Sequence, residues 1–187
     1  MQFTTLGLPG LIEIMPSRFS DERGYFSENF RDDLFRAHCG SFDFVQDNQS
    51  LSTRAGTVRG LHFQAHPNAQ GKLVRCIAGA LFDVAVDLRR GSPGYGKWAA
   101  RTLSGDVGNQ LWIPPGFAHG FCTLQPDTII SYKVTAYYSP ADDRGLAWDD
   151  TDLAIAWPDI AVADSLSPKD RAQPAFRHLP PCFSLGD

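Results

Sequence analysis

The sequence predicts an all-β barrel or sandwich, and three observations carry that expectation. Residues alternate with period two, apolar runs recur as short segments, and Gly- and Pro-rich turns separate them. The alternation is plainest in Leu81-Phe82-Asp83-Val84-Ala85-Val86-Asp87-Leu88. Its even positions are large and apolar, while its odd ones carry both aspartates, so it reads as a strand with one core face and one polar face. In chain order, a helix comes first, over 31–39, where Leu34, Phe35 and His38 fall at helical spacing. Strands are expected at 42–47, 57–64, 72–78, 81–88, 98–103, 110–113, 117–124 and 128–136. Turns at Gly91-Ser92-Pro93-Gly94, Ser104-Gly105-Asp106 and Pro126-Asp127 punctuate them. Beyond Trp157 lie five of the thirteen prolines, so 158–187 reads as an irregular or short-helical extension wrapped on a barrel of about 40–157. The expectation is one domain spanning 1–187.

Composition excludes several classes of function. With 187 residues, a chain of this size buries about 70% of its unfolded surface and needs no staples. The formal net charge is −4 with charges interspersed, which argues against nucleic-acid binding but leaves room for a local basic pocket. Cys39, Cys76, Cys122 and Cys182 are scattered, with no C-x-x-C pair, as expected of reduced and mostly buried thiols. No Lys or Arg precedes Arg18, and Pro9 and Pro16 break the first apolar stretch, so no secretory leader is expected. Charges interrupt every candidate membrane span. A cytoplasmic protein with no membrane or nucleic-acid partner is the expectation.

Familiar motifs fail before others succeed. Gly71-Lys72 is followed by Leu73 instead of Ser or Thr, and His66 stands where a phosphate loop needs its first glycine. There is no G-x-S-x-G elbow. His62, mid-strand in Arg59-Gly60-Leu61-His62-Phe63-Gln64, suits a neutral base near pH 7, or else a hydrogen-bonded core histidine. His119 closes a Pro-x-Gly-x-x-His segment, which resembles the second signature element of cupin barrels. The first element, two histidines one residue apart, is missing. His62 and His66 are four apart, about 13 Å along a strand, so no metal cage can be drawn. Tyr132 shares a strand face with Ile130 and Val134 and is either core or a general acid. Lys72 is either a surface strand end or an electrophile, and Arg23, Arg59 and Lys169 alone could each be solvated charge.

Together, these segments resemble the dTDP-4-dehydrorhamnose 3,5-epimerase family. The matching stretches include Asp21-Glu-Arg-Gly-Tyr-Phe26, Phe44-Val-Gln-Asp-Asn-Gln-Ser50, Val58-Arg-Gly-Leu-His-Phe-Gln64 and Gln70-Gly-Lys-Leu-Val-Arg75. Further on they include Phe82-Asp-Val-Ala-Val-Asp87, Gly116-Phe-Ala-His-Gly-Phe121, Tyr137-Tyr-Ser-Pro140 and Leu166-Ser-Pro-Lys-Asp170. They come in the family's order over about residues 3–174. The resemblance implies a cupin-like jelly roll that works without metal or other cofactor and forms homodimers. Its substrate would be a dTDP-4-keto-6-deoxyhexose, epimerised at C3, C5 or both.

The resemblance also implies roles. His62 would be the general base, Asp170 its orienting carboxylate and Tyr132 the general acid on the opposite sugar face. Lys72, with His119 nearby, would stabilise the enolate oxygen. Arg23, Glu28, Gln46, Asp47, Asn48, Arg59, Lys72, His119 and Lys169 match substrate contacts, with the basic residues suited to a diphosphate. Tyr138 matches an aromatic that stacks on thymine. Asp143 stands where the family often has Glu, and Gln49 where it often has His. A metal-dependent cupin and a non-catalytic sugar-binding jelly roll fit the residues less well. Arg59 and His62 are three apart and on a regular strand would face opposite ways. Either a bulge brings both inward or Arg59 faces elsewhere, such as a neighbouring subunit.

Overall fold

Alternating side chains let one chain build two antiparallel sheets and bury the surface between them. In a computed structural model that describes residues 1–186, β1 (Gln2–Thr5) and β2 (Ile12–Met15) come first. A hairpin of β3 (Arg18–Asp21) and β4 (Gly24–Ser27) follows, then helix α1 (Asp32–Cys39). The main strands are β5 (Gln46–Ser52), β6 (Val58–Gln64), β7 (Lys72–Ala78) and β8 (Ala80–Asp87). After a short β9 (Arg89–Arg90) come β10 (Trp98–Ser104), β11 (Gln110–Ile113), β12 (Phe117–Thr123), β13 (Thr128–Val134) and β14 (Asp143–Gly145). The C-terminal extension holds α2 (Pro168–Arg171) and β15 (Phe183–Ser184). One sheet orders its strands β1-β2-β11-β7-β13-β5 and the other β10-β8-β12-β6-β14.

Val74, Cys76, Leu111 and Ile130 of the first sheet meet Leu81, Ala85, Leu103, Phe117 and Phe121 of the second. Each Val, Leu, Ile or Phe among them contributes about 1.5–3 kcal/mol by leaving water. The outer face of the first sheet is covered by α1, whose Phe35 packs on Leu73 and Trp112 beside Phe30, Phe42 and Phe44. That helix carries Asp32 and Asp33 in its first turn and Arg36 and His38 in its last, which suits its dipole.

The structure corrects two expectations. The strand read as having one core face has two buried faces. Val84 and Val86 lie beneath the C-terminal extension with Leu146, Leu153 and Phe183, while Leu81 and Ala85 point into the barrel. Asp83 and Asp87 point inward with them and are fully buried. The strand expected at 42–47 begins at Gln46 instead. Phe42 and Phe44 leave the strand because they pack around Trp112, with ring centroids 4.9 and 6.0 Å away. The four short strands before α1, together with β9, β14 and β15, lie outside the strands that the sequence predicts. All four cysteines are free, with Cys76 and Cys122 buried. Among the described residues, no helix is long and apolar enough to cross a membrane.

One irregularity shapes what lies inside the barrel. Val58 and Arg59 pair with Cys122 and Phe121, whereas His62 pairs with His119. Gly60 and Leu61 therefore share the single partner Gly120, which is a β-bulge. Gly60 has φ +120, and a Cβ there would sit 2.6 Å from the Gly120 Cα. Only glycine fits that approach. The extra residue resolves the parity conflict: Arg59 and His62 share the inward face.

Candidate active site

A cleft of about 360 Å³ opens between the two sheets, and each sheet supplies one half of its wall. His62 and Gln64 come from β6, two residues apart on one strand face, with Asp143 beside Gln64 on β14. From the opposite sheet, Asn48 of β5 lies directly across from Tyr132 of β13, and Lys72 of β7 pairs with Val134. Gln46, Phe63, Gln70, Tyr138 and Lys169 complete the lining.

The His62 ring is held from behind. Its Nε2 lies 2.5 Å from an oxygen of Asp170, which is only 4% exposed. Pro168 opens α2 and the Ser167 hydroxyl caps it by accepting from the Asp170 N–H at 3.1 Å, so the carboxylate is set by a rigid turn. Burial works to raise the Asp170 carboxyl. The hydrogen bond and charge of His62, the Ser167 hydroxyl and the Gly60 N–H outweigh it and hold the group below the ordinary range. A carboxylate on Nε2 fixes the proton there and leaves Nδ1 with the free lone pair.

Across the cleft, burial raises the Tyr132 phenol while the Arg59 guanidinium draws it back down. Arg59 reaches between sheets, donating to the Ser52 hydroxyl at 3.3 Å and the Leu51 carbonyl at 3.2 Å. Lys72 donates to the His62 carbonyl at 3.3 Å, and burial pushes its ammonium down to about 8. His119, beneath His62 in the ladder, is buried and bonded through Nε2 to Asp83. At the rim, the exposed Tyr138 donates its hydroxyl to Asp143 at 3.0 Å, and Lys169 pairs with the same carboxylate. That hydrogen bond raises the Tyr138 phenol. The Tyr138 N–H donates to Gln46, whose amide donates to Asn48 at 2.8 Å.

Not every residue singled out in the sequence lies here. Asp47 points to the outer face of β5, where it pairs with Lys133 at 2.8 Å. Arg23 and Glu28 belong to the β3–β4 region away from the cleft, and Arg23 is paired with Asp21 in solvent. Conversely, Gln64 and Gln70 in the cleft, and the buried Asp83 behind His119, lie outside the set that the sequence singles out. Gln64 is buried and accepts the Ser139 N–H at 2.8 Å while donating to the Tyr137 carbonyl at 3.1 Å, so it holds the Tyr138 loop. Its parity with His62 was the available signal. Asp83 shows up by the same parity logic once its strand is seen to be buried. Gln70, which donates to the Ala136 carbonyl at 2.7 Å, carries no periodic signal. Among the described residues, no three His, Cys, Asp or Glu side chains group closely enough to hold a metal ion. The arrangement offers an imidazole on one wall, a phenol on the facing wall and a rim where Lys169 and Asp143 pair.

Comparison with known proteins agrees with this picture. Residues 5–178 match the family model described as dTDP-4-dehydrorhamnose 3,5-epimerase. The chain is 57% identical over 183 residues to the dTDP-4-dehydrorhamnose 3,5-epimerase of Sinorhizobium fredii, covering 98% of this chain and 93% of the relative. Its fold is similar to the crystal structure of dTDP-4-dehydrorhamnose 3,5-epimerase from Bacillus anthracis with TDP and PPi bound. That match has a TM-score of 0.89 at 45% identity and covers 93% and 98% of the two chains. It is also similar to the dTDP-6-deoxy-D-glucose-3,5-epimerase of Legionella pneumophila in complex with dTDP-4-keto-L-rhamnose. Here the TM-score is 0.89 at 41% identity, covering 96% and 94%. The two facing sheets are the cupin-like jelly roll that the sequence predicts.

Proposed function

The chain belongs to the dTDP-4-dehydrorhamnose 3,5-epimerase family, and from that premise we propose that it epimerises a dTDP-4-keto-6-deoxyhexose at C3 and C5, in deoxysugar biosynthesis. The observation that carries the reading is the placement of His62 and Tyr132 on opposite walls of one cleft. Inversion at carbon requires proton removal from one face and delivery to the other, and these two walls supply the two faces. The 4-keto group makes the neighbouring C–H bonds acidic because the carbanion is an enolate. His62 removes the proton through Nδ1, and Asp170 stabilises the imidazolium that results. Tyr132 then donates its phenolic proton to the other face of the same carbon. Lys72, with His119 nearby, compensates the charge that develops on O4, a role suited to a fixed cation in a preorganised site. The scheme needs only side chains of this protein.

Lys169 and Arg59 provide positive charge for the diphosphate, and Tyr138 at the rim offers a ring face to the base. Asn48, Gln46 and Asp143 contact the sugar nucleotide between them. Arg23 and Glu28 complete the site from a second copy. Their hairpin displays Phe19, Tyr25 and Phe26, each more than half exposed, which is the kind of apolar surface a homodimer buries. The enzyme works as a cytoplasmic homodimer in which each hairpin reaches the neighbouring cleft. The test is proton NMR of the purified protein with a dTDP-4-keto-6-deoxyhexose in D2O. Deuterium at C3 and C5 with inverted product supports the reading, and no exchange at either carbon sinks it.

A further inference from the structure

Asp83 is unlike the other buried acids. It is fully buried on the inward face of β8, one of its oxygens is bonded to His119 Nε2, and the other has no hydrogen-bond partner among the described residues. By contrast, Asp87 on the same strand spends both oxygens on Arg89 and Ser92. A buried, half-satisfied carboxylate is costly unless its charge serves a neighbour. Its position shows which neighbours those are. His119 lies opposite Ala85 in the β8–β12 ladder and opposite His62 in the β12–β6 ladder. Asp83, opposite Phe121, is therefore the diagonal neighbour of His119 and stands two strands from the base.

We propose that Asp83 is a positioning residue for the cationic side of the cleft, holding the His119 ring in one tautomer and acting as the buried counter-charge for the Lys72 ammonium. The meaning of this for catalysis rests on the epimerase reading above. Around Lys72, burial is the strongest influence and disfavours the protonated form; the charges of Asp143 and then Asp83 favour it, and the Lys169 ammonium opposes it. Asp143 is already engaged by Lys169 and Tyr138. Asp83, away from solvent and with one oxygen uncommitted, is the second and more deeply buried of the two. With its bond to Asp83 at Nε2, His119 keeps the proton on that nitrogen and turns Nδ1 away from the carboxylate.

The test uses the whole protein with isotopically labelled lysine and histidine, the Lys72 signal being assigned by its loss in Lys72→Arg. In the wild type, Lys72 should titrate near 8. Asp83→Asn should move that midpoint downward by about one pH unit, and the alkaline limb of kcat should move with it. Asp83→Glu, which keeps the charge, should restore the midpoint. If Asp83→Asn does not fold, Asp83→Thr removes the charge at similar volume and is titrated instead. An unmoved Lys72 midpoint in a folded, uncharged variant overturns the inference, as does a His119 15N spectrum with the proton on Nδ1. Because the titration needs no substrate, its outcome stands apart from that of the D2O experiment. A Lys72 midpoint that moves as expected in a protein that exchanges no deuterium would keep the counter-charge and discard the epimerase.

Discussion

Replacing Asp170 with Asn removes a charge and almost no volume, so its effect can be worked from the contacts of one carboxylate. That group accepts from His62, from the Ser167 hydroxyl and from the Gly60 N–H. An amide has one oxygen to offer. If the oxygen turns to His62, its NH2 meets the other donors; if it turns to Gly60, the NH2 faces Nε2 and forces the imidazole proton onto Nδ1, where the lone pair is needed. Either way a charge-assisted hydrogen bond worth about 1.5–3 kcal/mol is lost. Entered as a barrier, that is roughly a 10- to 150-fold fall in turnover. The loss is smaller than the one expected on removing the base, since the imidazole remains. Because Asp170 stands behind His62 and outside the cleft lining, KM should hardly change. Steady-state kinetics with the keto-sugar nucleotide read both constants. A rise in KM at constant kcat would make Asp170 a binding group and refute the reasoning. Stability supplies a second readout. With its folded-state pKa lowered, Asp170 stabilises the protein above the ordinary Asp value of about 3.9, and that contribution is lost as pH falls below it. The Tm difference between wild type and Asp170→Asn should therefore be largest above that pH and close on further acidification.

Three other outcomes follow from the same geometry. Gly60→Ala forces a side chain to within 2.6 Å of the Gly120 Cα at φ +120, and a strain of about 2–3 kcal/mol should lower Tm by roughly 4–12 °C in a scanning melt. By disturbing the bulge it should also slow deuterium exchange, because Arg59 and His62 lose their common face. Tyr138→Ala should raise KM for the sugar nucleotide by roughly 5- to 150-fold with little change in kcat, since base stacking is worth about 1–3 kcal/mol; unchanged affinity in a titration would remove Tyr138 from the nucleotide site. Exhaustive chelation, checked by metal analysis, should leave turnover unaltered, and a loss restored by one divalent ion would contradict the His–Tyr scheme.

How far the sequence could be read depends on whether a residue's position is set locally or across the chain. Strand β7 and strand β11 end where alternation and turn residues say they should, because each is a local pattern. Tyr132 points inward with Ile130 for the same reason. The inward aspartates of β8 read as a polar face because alternation cannot tell solvent from a polar barrel interior. Only the packing of Val84 and Val86 under the C-terminal extension decides that. Asp47 and Asn48 are neighbours in one motif, but a strand sends them to opposite faces, so only Asn48 reaches the cleft. The bulge at Gly60 was one of two options left by parity, since the crowding that requires it comes from Gly120, sixty residues away. Phe42 and Phe44 look like strand residues until Trp112 supplies their packing partner.

The central claim is that His62 and Tyr132 act on opposite faces of the substrate carbon, and Tyr132→Phe in D2O tests it most directly. The phenylalanine keeps the ring that packs against the core and removes one hydroxyl. His62 should still form the enolate and, having exchanged its proton with solvent, return deuterium to the face it came from. NMR in a single tube follows both label and configuration. The account predicts deuterium entering the substrate with retained configuration while inverted product falls by about 10²-fold or more. If exchange and inversion fall together by the same factor, Tyr132 is needed to form the enolate and the two-face assignment is contradicted.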